Sequence, residues 1–211
     1  MEKNSYYDFD ISFESILIDN GLVDECFRLR DLQNRKLFLN TEIDMCSVED
    51  IVKHIIRYNV DDRDVPIEER RPIILYVSSN GGDVYSGFQL IDAIISSKTP
   101  VHTVNMGYQF SMGFLIGMSG HKRFATQHAK YLWHDGTNMA WNSSAKVRDQ
   151  IEFQQRDEER IREFILSHSK IDKELYDSKF RVEWYMFADE AKDLGIVDYI
   201  VGTDCDMAAI I

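Results

Sequence analysis

The sequence has little cysteine, no long apolar run and no surplus of basic residues, and each shortage removes a class of function. Its three cysteines, Cys26, Cys46 and Cys205, are an odd number without C-x-x-C spacing. Neither a disulfide framework nor a zinc site is indicated, and reduced thiols in a cytoplasm are expected. No stretch approaches the roughly 20 apolar residues that a membrane helix needs, so no membrane partner is expected. Lys and Arg total 24 against 36 Asp and Glu, a formal charge of -12 with no basic stripe. Phosphate binding draws most of its affinity from clustered cations, which argues against nucleic acid. In the first twenty residues acids stand where a secretory signal carries its basic end, and export is not expected. No G-x-x-x-x-G-K-[ST] loop occurs, so the chain is not expected to hydrolyse ATP itself, and no cofactor or metal is indicated.

What is present is a chain of 211 residues, 44% hydrophobic and 28% charged, proportions that suit one globular core. Leu22, Cys26, Leu29 and Leu32 recur with helical spacing, and residues 36 to 39 read as a short buried strand. Ser47 reads as the cap of an amphipathic helix through Val48, Ile51, Ile55 and Ile56, with Glu49 and Asp50 in its first turn. Residues 59 to 71 are charged, carry Pro66 and read as a loop. The apolar run at 73 to 77 ends in SerSerAsnGlyGly, after which Val84, Phe88, Ile91 and Ile95 return to helical spacing. A second strand at 101 to 106 precedes an apolar helix from Ser111 to Ser119. Strands at 123 to 125 and 131 to 134, a long charged helix at 144 to 168, a helix at 189 to 194 stopped by Gly195, and a strand at 196 to 201 complete the chain. Alternating strands and helices point to an α/β fold, with ligand chemistry at the glycine turns after strands.

Two of those turns carry chemistry. GlyTyrGlnPheSerMetGly at 107 to 113 sets Ser111 between a strand and a helix, where free N–H groups and the positive dipole end favour an oxyanion. A serine there is also a common N-cap. The glycines of SerSerAsnGlyGlyAspVal at 78 to 84 can turn backbone N–H groups inward, or simply make a tight connection. A peptidase further needs a histidine beside the serine. His54 and His168 fall on helix surfaces, His121 and His128 in polar loops, and His102 within a strand; His134 ends an apolar strand and can face a cleft.

GlyGlyAspValTyrSerGly, GlyTyrGlnPheSerMetGly, a strand ending in His134, and PheAlaAspGluAlaLysAspLeuGlyIleValAsp at 187 to 198 occur in the order of the signature blocks of the Clp protease proteolytic subunit, which the chain resembles from about residue 30 to 201. The resemblance implies a crotonase-like superhelix of strand-strand-helix units. It implies a serine endopeptidase with Ser111 as nucleophile, His134 as base, and the N–H groups of Gly82 and Met112 as oxyanion hole. Peptide and unfolded protein would be the substrates, delivered by a separate AAA+ ATPase unfoldase. Residues 1 to 20 are then expected to be a flexible arm, 21 to 203 a single peptidase domain, and 204 to 211 a C-terminal tail. Residues 144 to 168 correspond to the protruding handle helix through which two heptameric rings meet. Three departures stand out: Asn80 replaces the family's proline, Asp135-Gly136 replaces GlnPro after the histidine, and Glu183 stands where the family carries aspartate. Glu183 also reads as a solvated loop residue. Asp135 is a rival acid, although an i+1 neighbour on a strand points to the other face, and Asp189 reads as a first-turn helix charge. Two alternatives stay open: an inactive ring paralogue acting as scaffold or regulator, and a crotonase-type acyl-thioester enzyme.

Overall fold

The computed structural model describes residues 11–136 and 142–211, with side chains from Ser15 onward. The first ten residues of the expected arm lie outside the described residues. The rest of that segment forms α1 (Ile11–Asp19), which is followed by α2 (Val23–Gln33) and β1 (Lys36–Leu39).

The next helix, α3 (Met45–Asp61), begins three residues earlier than its sequence signal. Its N-cap is Asp44, whose carboxylate accepts from the Ser47 amide at 2.7 Å, while the Ser47 hydroxyl accepts from the Asp44 amide at 2.9 Å. Ser47 is thus the third residue of the helix and the second half of a capping box, not the cap itself, which moves Glu49 and Asp50 beyond the first turn. The helix runs into the segment read as a loop, of which a 3-10 turn at Ile67–Glu69 is the other ordered part.

β2 (Ile73–Val77), α4 (Val84–Ser96), β3 (Val101–Asn105), β4 (Tyr108–Phe110), α5 (Met112–Met118), β5 (Lys122–Thr126) and β6 (Lys130–Trp133) follow. Then come α6 (Ser144–Ser167), α7 (Lys173–Lys179), β7 (Trp184–Phe187), α8 (Ala188–Asp193) and β8 (Tyr199–Val201). Five strands form a parallel sheet in the order β1-β2-β3-β5-β8. Both faces of this sheet are covered, so every residue of β2 is buried. On one face Ile73, Leu75 and Val77 meet Ile51 and Ile55 of α3, Leu90 and Ile94 of α4, and Phe114 of α5 in the main core. On the other, Ile74 and Tyr76 meet Val104, Phe124 and Ile210. Ile210 belongs to the C-terminal 3-10 turn Met207–Ile210, and its carbonyl accepts from the Tyr76 hydroxyl, so the tail folds back over the sheet.

Three strands stand apart in a second sheet, ordered β4-β6-β7, with β4 parallel and β7 antiparallel to β6. Its inner face presents Gln109, Tyr131, Trp133 and Met186 to the core, where Phe114 meets the Tyr131 ring edge-on at 6.3 Å. Helix α6 is about 36 Å long at 1.5 Å per residue. Only its last turns reach the core, through Ile161, Phe164, Ile165 and Leu166, while Ile151 and Phe153 farther out are exposed. Among the described residues no helix is long and apolar enough to cross a membrane.

Candidate active site

Beyond Val77 the chain leaves the large sheet and runs alongside β4. The Ser79 amide donates to the Tyr108 carbonyl at 3.1 Å, and the Phe110 amide donates to the Ser79 carbonyl at 3.0 Å. The glycine pair then meets a second partner, because Ile43 donates to the Gly81 carbonyl at 2.8 Å and accepts from the Asp83 amide at 2.7 Å. In a parallel bridge of this kind the central residue's own N–H and C=O point away from the partner, so those of Gly82 are directed to the open side. Both glycines have positive φ, +103° and +147°. A Cβ at Gly82 would lie 2.2 Å from the Ile43 carbonyl oxygen, and one at Gly81 would lie 2.7 Å from the Ser111 Cβ and 3.1 Å from the Met112 nitrogen. The absence of side chains therefore lets this turn wedge between Ile43 and the start of α5.

Ser111 links β4 to α5 in a conformation rare for a residue with a side chain, φ 53° and ψ -121°. Such backbone costs on the order of 1–3 kcal/mol and persists only where the surroundings fix it. Here the fixing bond is the Ser111 amide, which donates to the Leu132 carbonyl of β6 at 2.9 Å. Ser111 occupies the N-cap position of α5, yet its side chain makes no capping bond. The hydroxyl is thus not consumed by the structural role that a serine in this position usually performs. A sharp strand-to-helix turn that presents a serine Oγ is the geometry of a nucleophile elbow.

The small sheet gathers the other two candidates. In the β6–β7 ladder Leu132 faces Tyr185 and Trp133 faces Trp184, and the same register continued by one step sets His134 across from Glu183. Directly opposed residues of an antiparallel pair have Cβ atoms about 4.5–5.5 Å apart on one face. In the β4–β6 ladder Phe110 faces Leu132, so Ser111 is level with Trp133. Ser111, His134 and Glu183 consequently sit at one end of three adjacent strands. Their backbones are brought together, whereas their side chains are not yet joined. Among the described residues neither Ser111 Oγ nor the His134 ring makes a hydrogen bond, and Glu183, which is exposed, accepts from the Tyr185 hydroxyl at 2.9 Å. Bonds of this kind tighten in many enzymes only when substrate is bound. Asp135 is exposed beside His134, and Asp189 lies in the first turn of α8 as its sequence context indicates. Met112 opens α5 and is buried against Gly87, where a Cβ would lie 2.3 Å from its side chain.

A model of the Clp protease family matches residues 23–204. The chain belongs to the Clp protease family. Among its relatives are ATP-dependent Clp protease proteolytic subunit 2 of Corynebacterium diphtheriae, 29% identical over 82% of this chain and 84% of the relative. Proteolytic subunit 3 of Rhodococcus jostii is 27% identical over 94% and 92%, and proteolytic subunit 1 of Frankia casuarinae is 31% identical over 82% and 79%. The mixed α/β architecture with its parallel sheet is consistent with the Clp protease fold.

For a Clp protease chain the electrostatics at this end of the sheet are sparse. The Glu183 carboxylate, through its hydrogen bond, raises the Tyr185 phenol above its ordinary range. Among the described residues no group of three or more His, Cys, Asp or Glu is placed to hold a metal ion. A cleft of about 700 Å³ is lined by Lys122, Arg123, His168 and Lys170 and by none of Ser111, His134 and Glu183. Of its charges, Arg123 forks onto Asp198 and donates to the His168 carbonyl near the negative end of α6. Tyr185 was not singled out from sequence. The signal for it is TrpTyrMetPhe at 184 to 187, a run of strand-forming residues directly followed by α8 at Ala188.

The fit of Gly82 against Ile43 yields a stability prediction. Gly82→Ala places a Cβ where the Ile43 carbonyl stands, at a φ that disfavours side chains, at a cost of about 1–2 kcal/mol or more. The thermal midpoint, followed by circular dichroism, is expected to fall by about 2–8 °C. An unchanged midpoint contradicts the bridge.

Proposed function

We propose that the chain is a serine endopeptidase, the proteolytic subunit of an ATP-dependent Clp-type protease, acting in the cytoplasm. The observation that carries this reading is the strained Ser111 elbow with its uncapped hydroxyl, set against the Gly81–Gly82 turn. His134 takes the Ser111 proton as Oγ attacks a peptide carbonyl. Glu183, across the ladder, orients the imidazole and stabilises the imidazolium that forms. The N–H groups of Gly82 and Met112 receive the oxyanion, the acyl-enzyme forms with loss of the amine, and water releases the acid. An extended peptide fits along the exposed Gly82 backbone, adding main-chain bonds as a further strand, so side-chain selectivity is broad.

The chain has no loop of the G-x-x-x-x-G-K-[ST] type, so the energy to unfold substrates comes from a separate AAA+ ATPase. Alone, it cleaves short or unfolded chains. The 24-residue α6 supports assembly as a double heptameric ring, since its outer turns have exposed apolar residues among charges of both signs and no core to cover them. Arg156 already lies over the Phe153 ring at 5.7 Å, presenting a cation beside that apolar patch.

Two experiments test these statements. In hydrolysis of a short fluorogenic peptide, Ser111→Ala is expected to lower kcat by at least about 10⁴-fold. Glu183→Gln is expected to approach that loss, because the amide cannot stabilise the imidazolium, and Glu183→Asp to retain part of the rate. A Ser111→Ala variant with parental activity removes the peptidase assignment. For the assembly, native mass spectrometry is expected to show 14 subunits, and reversal of Arg156 and Arg160 to glutamate to yield single rings. A monomeric parent contradicts the ring, and intact double rings in the variant contradict the role given to the two arginines.

A further inference from the structure

Glutamate has one more rotatable bond than aspartate, so an acid at position 183 has more freedom to lose before it can orient a histidine. The structure contains a group that removes it. Tyr185 of β7 is two residues from Glu183, which directly precedes that strand, and its hydroxyl donates to Glu183 Oε2 at 2.9 Å. That bond occupies one carboxylate oxygen and leaves Oε1 open to a second donor, with His134 across the ladder from Glu183 in the continued register. The Tyr185 ring is itself braced, with the Phe110 ring meeting it edge-on at 6.0 Å and 90°. Phe110 immediately precedes Ser111 and is tilted against Tyr108 at 5.2 Å. A chain of contacts therefore runs from the strand that presents the serine, through one aromatic pair, to the carboxylate.

We propose that Tyr185 is a positioning residue for peptide hydrolysis: its hydroxyl holds the Glu183 carboxylate toward His134, and its ring ties that carboxylate to the strand bearing Ser111. The inference rests on the peptidase reading given above. The phenol is protonated at neutral pH in any case, and the carboxylate raises its pKa further. At that pH the pair is a charge-assisted bond, of the stronger class of hydrogen bonds.

Tyr185→Phe removes the hydroxyl and keeps the ring against Phe110. The expected result with a short peptide is a fall in kcat of about 10- to 100-fold with KM unchanged. A second readout separates positioning from packing. A carboxylate held near His134 favours the imidazolium, so its release lowers the histidine's apparent pKa, and the acidic limb of the kcat/KM profile moves to lower pH. Loss of ring packing alone would lower the thermal midpoint without moving that limb. In a Glu183→Gln background the same substitution is expected to have little further effect, since the two groups act as a unit. An active, Ser111-dependent parent whose Tyr185→Phe variant keeps both kcat and the acidic limb overturns the proposal alone. A parent without Ser111-dependent hydrolysis overturns the peptidase reading, and this proposal with it.

Discussion

The Ser111 amide bonded to the Leu132 carbonyl holds the candidate site together. It pins a residue of unfavourable φ and ψ to the central strand of the small sheet, and the sheet's register then determines where every other group lies. The buried inner face of that sheet, from Gln109 to Met186, resists a one-residue slip, because a slip would send Tyr131 and Trp133 to solvent and expose their partners. Register is thus set by core burial, and site geometry is set by register. Gly81 and Gly82 complete the constraint from the other side, since any side chain there would push either Ser111 or Ile43 out of place.

The departures at this end of the sheet have a common physical character. Asn80 and Asp135 are exposed and take part neither in the Ser111 amide bond nor in the backbone bonds of the ladders. Glu183 is also exposed, but unlike them it is engaged, and its extra length is matched by a phenol within hydrogen-bond reach. In the proposed mechanism the longer acid and Tyr185 act as one arrangement spread over two residues.

Much of this was legible in the sequence. The all-apolar β2 and the helical spacing from Val84 to Ile95 pointed to an α/β core, whose parallel pairing the structure adds, and the glycine turns after strands marked the candidate site. The order of the blocks singled out Ser111 and His134. Helix α3 was found, but its cap was misplaced by three residues, because Ser47 fills the third position of a box whose first member, Asp44, stands before the apolar stripe begins. β4 and β7 were not found. Three and four residues are too few to show a period, and both strands exist because β6 lies between them. Glu183 could be aligned from the α8 block, whereas its position opposite His134 depends on the β6–β7 pairing and its bond to Tyr185 on the fold. The strain at Ser111 is likewise a property of the turn that no residue type announces.

The central claim is that this turn presents a serine made nucleophilic by His134. Its most direct measurement is the rate of covalent modification of Ser111 by a fluorophosphonate, followed by intact-protein mass spectrometry in the parent and in His134→Ala. The account predicts a single adduct, located on Ser111, that forms in the parent and is slowed by about 10²-fold or more in the variant. Equal rates in the two proteins, or an adduct elsewhere, would contradict it.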